Sequence, residues 1–236
     1  MALKTPAKGV DVSTWQHPNG EAIDWEEVAK AGYTFAIVKA TQGNTWVNPW
    51  LARDLDDARA QGLLVGAYHF YQWGTDAKDQ ASFALSHLAG QVLELGFYLD
   101  WEVESVPQWE LGSTYTAFLD ESMAVRNPTG TYCDLSWHTQ LVAANVPIYR
   151  LWLADYNESE PVPSFLWQDS ETGTVPGIPG TVDLDYLNST RGLNIPTAPV
   201  EKKVDPVAVK AAIEADAVPE DEEPVHPAGV GEHNDL

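Results

Sequence analysis

The stretch TFAIVKATQGNTWVNPWLARDLDDARAQGLLVGAYHFY, residues 34–71, holds one complete structural repeat. Residues 34–41 are continuous, apolar and rich in β-branched side chains, the pattern of a strand buried on both faces. Residues 48–62 set Leu51, Leu55 and Ala58 on one face at a period of 3.6 and close on Gly62, which predicts a helix. Residues 63–71 turn apolar again and predict a second strand. Strand, helix and strand in this order imply parallel strands joined by a right-handed crossover.

The same unit recurs on both sides. A strand at 8–13 precedes a helix at 24–32, which Asp24 caps and Gly32 ends. A helix at 76–90, bounded by Asp76 and Gly90, leads to a strand at 96–102 and a helix at 113–126. A strand at 129–134 and a helix at 135–145 follow. The pattern then changes: strand-like runs at 148–156, 164–171 and 180–188 are joined by EPVPS and VPGIPG, which leave no room for full helices. Eight strands with about five helices predict an α/β barrel whose last part has lost its helices. From residue 197 the chain becomes rich in Pro, Ala and acid, with ten acidic and three basic residues. Residues 1–196 thus read as the barrel domain, and 197–236 as an acidic tail or linker with room for one short helix at 206–215.

Composition removes several partners. A net charge of −22 disfavours nucleic acid, which needs a basic surface, and an anionic membrane. The lone Cys133 cannot form an internal disulfide. The N-terminus MALKTPAKGVDVS lacks the apolar core of a secretion signal, and no run approaches the length of a membrane span. Synthesis in the cytoplasm is the expectation. Nucleophile-elbow, phosphate-loop and dinucleotide fingerprints are missing.

Chemistry is concentrated in FYLDWEVES, residues 97–105, where Asp100, Glu102 and Glu104 alternate with Trp101 and Val103. In a strand they would share one face. Active sites of parallel barrels lie at the C-terminal strand ends. Strand one ends near Asp11, and the last strand carries Asp183 and Asp185. First and last strands of a closed barrel are neighbours, so Asp11 and Asp183 can meet across the seam. Crowded carboxylates raise one another's pKa, and a protonated acid beside an ionised one is the equipment of glycoside hydrolysis. A single D-x-E, however, more often faces solvent or caps a helix. Clustered carboxylates also suit Mg²⁺ or Ca²⁺, but the six His show no ligand spacing, and neither a metal nor a cofactor is expected. His69 is expected to be a structural residue inside the barrel or at its mouth.

Taken together, these residues resemble glycoside hydrolase family 25, lysozymes found in phages and bacteria. The likeness covers residues 8–190. KGVDVSTWQ resembles the family's opening, FAIVKATQG its second strand, GAYHF its third, LDWE its D-x-E strand, and LWLADY its L-W-x-A-x-Y segment. WQDSETGTVPGIPGTVDLDYL resembles the closing segment. The resemblance implies an irregular TIM-like barrel and cleavage of the β-1,4 bond between N-acetylmuramic acid and N-acetylglucosamine. By position it implies that Glu102 is the proton donor and Asp100 its partner carboxylate, with Asp11 and Asp183 as two further acids of the site. Tyr68, Tyr132, Trp152 and Gln168 fall in segments near the sugar. The Asp100–Glu102 arrangement is also similar to that of chitinases, where the substrate's own N-acetyl group attacks. Two positions depart from the family pattern: Asp169 replaces an aromatic and Asp185 an Asn, each expected to add negative charge near the mouth. Glu104 reads as a solvated rim residue.

The resemblance implies a phage endolysin that accumulates in the cytoplasm and reaches the peptidoglycan through holin pores. A barrel that binds peptidoglycan without cutting it, and a hydrolase of another N-acetylglucosamine polymer, are the competing readings. Bacterial walls are anionic, so the charge of this chain opposes docking, and a partner subunit with wall affinity would overcome it. Residues 1–196 alone are expected to fold and to cut soluble wall fragments as well as the full chain does; unfolding, or loss of fragment cleavage, would place the boundary elsewhere.

Overall fold

The computed structural model of the protein describes residues 6–102, 108–125, 129–157 and 159–189. The expected tail from 197, its short helix and Glu104 lie outside them. In chain order the elements are β1 (Ala7–Val12), α1 (Trp25–Lys30), β2 (Phe35–Gln42), β3 (Trp46–Val47), α2 (Leu51–Ala60), β4 (Leu64–Phe70), α3 (Ala77–His87) and β5 (Gly96–Asp100). These are followed by α4 (Gln108–Val125), β6 (Thr129–Asp134), α5 (Leu135–Ala143), β7 (Leu151–Ala154), β8 (Leu166–Gly173) and β9 (Val182–Leu187).

Eight of the strands close into a barrel in the order β1, β9, β8, β7, β6, β5, β4, β2, with β2 returning to β1. The expected barrel of eight strands and five helices is therefore present. Pairings from β1 through β2 and on to β8 are parallel. β9 runs antiparallel to both of its neighbours, which a simple repeat of strand–helix units does not anticipate. The Pro/Gly-rich join between β8 and β9 carries no helix to return the chain to the other end of the barrel, so the chain folds back as a hairpin. β3 is a two-residue addition that pairs with the end of β2.

Local signals fix the helices. Asp24 Oδ1 accepts from Glu27 N at the start of α1, and Asp76 Oδ1 accepts from Lys78 N and Asp79 N at the start of α3. Gly32, Gly62 and Gly90 follow their helices at φ of +92°, +85° and +79°, a region that costs glycine little. α2 begins three residues later than the pattern suggests. Asn48 accepts from Trp50 N and donates to Lys39 O instead, which ties the turn to β2.

The core has two layers. Phe35, Ile37, Tyr98, Tyr132 and Trp152 point into the barrel, and Val38, Val65, Phe97, Leu99 and Leu153 pack outward against the helices. His69 belongs to the outer layer rather than the mouth. It is fully buried, stacked on Phe118, with Nδ1 at 2.8 Å from Thr41 Oγ1 and Nε2 at 3.2 Å from Gln80 Oε1. Burial lowers its pKa to about 3, so it is neutral in the folded protein and its contribution to stability is lost as pH falls below the unfolded value of about 6.5.

Two glycines face the barrel interior because aromatic rings occupy the space of a side chain. Gly9 is paired with Phe35 and Gly130 with Tyr98, and an added methyl at either position would overlap that ring. Gly9→Ala and Gly130→Ala are each expected to lower unfolding free energy by about 1–3 kcal/mol, the usual cost of overpacking a filled core. Urea denaturation checks this, and a midpoint equal to the parent's would contradict it.

Candidate active site

The site lies at the barrel mouth, where the C-terminal ends of the parallel strands meet the N-terminal end of β9. Asp100 is the last residue of β5, and Glu102 stands two residues further on. Across the seam, Asp11 of β1 is directly opposite Asp183 of β9. The fold thus brings together Asp11, Asp100, Glu102 and Asp183, which interact through their charges.

Their environments differ. Asp100 is 5% exposed, and its Oδ1 is buried without a hydrogen-bond partner among the described residues. Burial, then the charge of Glu102, pushes its pKa well above the usual carboxylate range, and Lys39 partly offsets this. Glu102 is crowded by protein on most sides, and burial is the main cause that raises its pKa. Its surface nevertheless remains open to solvent. That access limits the desolvation of Glu102. Asp183, partly exposed, is pushed up to about 9 by burial and by the charges of Asp11 and Glu171. Asp11 is raised well above its ordinary value by burial and by Asp185.

Gln168 joins the seam to the aromatic wall. Its Nε2 donates to Asp11 Oδ2 at 2.8 Å, and its Oε1 accepts from Tyr132 OH at 2.9 Å and from Tyr156 OH at 3.0 Å. Tyr132 also stands beside Glu102, where a donated hydrogen bond lowers the acid's pKa. One hydroxyl has one proton, so these two roles alternate. Trp152 is 1% exposed; it meets the Tyr132 ring at 4.5 Å and the Tyr68 ring at 5.9 Å. Tyr68 and Trp152 therefore form the floor beneath the acids.

Three residues take places that their sequence segments do not reveal. Lys39, 1% exposed inside the barrel, donates to Gln42 Oε1 at 2.9 Å and lies about 5 Å from the ring centres of Trp46 and Phe70. A lysine in an otherwise apolar interior strand was the available signal. Tyr156, half exposed, extends the aromatic wall above Gln168. Asp185, expected near the mouth, lies deeper: it pairs with Gly9, is 1% exposed, and accepts from Trp152 Nε1 at 2.7 Å. Asp169 stands at an irregularity of β8 between Gln168 and Ser170, near Lys8 of β1, whose charge partly offsets its own. Among the described residues no cluster of His, Cys, Asp or Glu has the arrangement of a metal site.

The sequence profile of glycosyl hydrolases family 25 matches residues 10–178. The chain belongs to this family. The family-25 protein is 32% identical over 206 residues to YegX of Escherichia coli (strain K12), spanning 80% of this chain and 74% of that one. It superposes on the lysozyme of Streptomyces coelicolor with a TM-score of 0.66 at 25% identity, covering 79% of this chain and 94% of that one. With the CTP1L endolysin the TM-score is 0.65 at 29% identity, covering 77% and 66%. The family-25 protein is thus a glycoside hydrolase of the lysozyme, or muramidase, type.

The titration of Asp183 makes a stability prediction. The folded protein holds this proton up to about pH 9, whereas the unfolded chain releases it near 3.9. The native state binds more protons between these values, so stability falls as pH rises through that window. Asp183→Asn is expected to be more stable than the parent at pH 8, with the advantage shrinking towards pH 4, while activity drops. Thermal unfolding against pH checks this; a constant difference across the window would contradict it.

Proposed function

We propose that this lysozyme hydrolyses the β-1,4 bond between N-acetylmuramic acid and N-acetylglucosamine in bacterial peptidoglycan, with Glu102 as proton donor and Asp100 as the carboxylate that steadies the substrate's own acetamido group. The observation that carries this reading is the split environment of the two acids. Glu102 reaches solvent, where a polymer would lie, and Asp100 is enclosed with an unsatisfied oxygen.

In the first step Glu102 transfers its proton to the glycosidic oxygen as the C1–O bond breaks. The acetamido carbonyl oxygen forms a bond to C1 from the opposite face. The acetamido N–H donates to Asp100 Oδ1, which gains the partner it lacks. Positive charge develops on the resulting bicyclic ring, and the ionised form of Asp100 stabilises it. Water then attacks C1 as the bond from C1 to the acetamido oxygen breaks and the acetamido group is restored, while the Glu102 carboxylate takes the water's proton, so the anomeric configuration is retained. This is a substrate-assisted exception to the two-carboxylate scheme. Lys39 favours the ionised form of both acids and so opposes full protonation of the pair. Asp11 and Asp185 add negative potential beneath the cationic ring, while Asp183 keeps its proton up to about pH 9 and acts there as a neutral group.

We further propose that the protein serves phage-driven lysis: it is made in the host cytoplasm, is released through holin pores, and acts at the wall with help from a partner that supplies wall affinity. The net charge of −22 motivates the last element.

Two measurements test the chemistry. Glu102→Gln is expected to lose about 10²–10⁴-fold in kcat, the range of general acid catalysis, while circular dichroism stays unchanged. Mass spectrometry of fragments from purified peptidoglycan is expected to show new reducing-end muramic acid. Reducing-end glucosamine would identify a glucosaminidase instead, and near-parental activity of the variant would remove Glu102 from the donor role.

A further inference from the structure

Asp185 stands where the family pattern leads one to expect Asn, and no step of the reaction above passes through it. Its Oδ1 is held by Trp152 Nε1. Its Oδ2 is buried and receives no N–H or O–H from another described residue. The group it does face is the carboxyl of Asp11, within hydrogen-bonding reach. Asp11 in turn has its Oδ2 occupied by Gln168 Nε2. Two carboxyls therefore meet out of water, each anchored by a neutral donor on its far side. If both were ionised, two like charges would touch and Asp185 Oδ2 would stay orphaned, at the full desolvation cost of a buried charge. A proton between them converts the repulsion into a short, charge-assisted hydrogen bond.

The charges that act on the pair are those of acidic groups. Asp183 lies on the same strand and Asp100 and Glu102 across the barrel, and each disfavours ionisation of one or both members of the pair. Asp169 of β8 acts on Asp185 in the same sense. Tyr98, beneath, is held neutral by burial, and Arg150 interacts with Tyr98. Lys39 acts on Asp100 and Glu102.

We infer that Asp11 and Asp185 form one unit that shares a single proton at neutral pH, so that Asp185 is a positioning residue holding Asp11 through an O–H···O hydrogen bond. The pair then carries one negative charge instead of two beneath the substrate. Losing the shared proton in alkali sets the two carboxylates against each other and displaces Asp11 from its place opposite Asp183. Both groups have pKa values raised well above the ordinary range by burial, in agreement with proton retention.

The test uses the full chain. In Asp185→Asn the amide oxygen can accept from Trp152 and the amide N–H can donate to Asp11, which preserves the hydrogen bonds and fixes the charge at the shared-proton value. The alkaline limb of kcat/KM is expected to move to higher pH, and the fall of stability with rising pH is expected to lessen by about one proton. Asp183→Asn, measured alongside, accounts for that neighbour's own titration. Asp185→Leu, which offers no hydrogen bond, is expected to lose activity that Asp185→Asn retains. A parental alkaline limb and stability slope in Asp185→Asn would overturn the inference. Carboxyl ¹³C NMR of the unaltered chain decides the matter if the variants do not fold: one shared proton at pH 7 supports the pair, and two ionised carboxylates refute it. The inference relies on the muramidase reading only for the kinetic limb. The stability slope and the NMR need no substrate, so they can succeed or fail independently of that reading.

Discussion

The antiparallel pairing of β1 with β9 is the constraint on which the site depends. It closes the barrel, and its register sets Asp11 against Asp183 and Gly9 against Asp185. Because side chains alternate along a strand, Asp11, Asp183 and Asp185 all enter the interior, where Gln168 donates to Asp11 and Trp152 to Asp185. A slip of β9 by one residue would turn Asp183 and Asp185 outward and bring apolar Leu184 into the interior. The hairpin that delivers β9 is short because the last part of the chain has no helices, so the loss of helices and the assembly of the acids are one event.

The acids are placed at a cost to stability. A carboxyl that keeps its proton to about pH 9 in the folded state, as Asp183 does, lowers stability at neutral pH relative to an uncharged side chain. The rest of the molecule compensates with apolar packing on both sides of the sheet. Within the barrel the rings of Tyr68, Tyr98, Tyr132 and Trp152 meet edge to face, an arrangement that adds to area burial and leaves few degrees of freedom beneath the acids.

The loop after β1 shows how the mouth is tied to the scaffold. Ser13 and Gln16 form a capping box, and Gln16 Nε2 donates to Thr181 O just before β9. His17 stacks on Trp50 at 4.0 Å and places Nε2 at 2.8 Å from Asp54 Oδ2, while Asp54 Oδ1 accepts from Trp25 Nε1. This buried cluster anchors the segment next to Asp11 to α1 and α2. The segment therefore inherits the rigidity of the helix layer, as a pre-organised site requires.

By itself the sequence determined the repeating strand–helix order, because periods of two and 3.6 residues and the capping residues Asp24 and Asp76 are local properties. It also singled out Asp11, Asp100, Glu102 and Asp183 as candidates, through the short segments around them. Tertiary structure decided what those acids experience. Periodicity cannot state the direction of β9, since an apolar strand reads alike in either sense; the pairing with β1 and β8 set it. Nor can it separate Asp169 from Asp185, two unexpected acids in one segment. The irregularity of β8 sets the first beside Lys8, and the pairing of β9 with β1 turns the second into the interior, onto Trp152 and Asp11. Lys39 and His69 teach the same lesson from opposite faces of the sheet. Each sits in an apolar run, but one is turned towards the acids and the other towards Gln80 and Phe118. Burial and charge proximity arise only when distant segments meet, and these are the quantities that set protonation in the site.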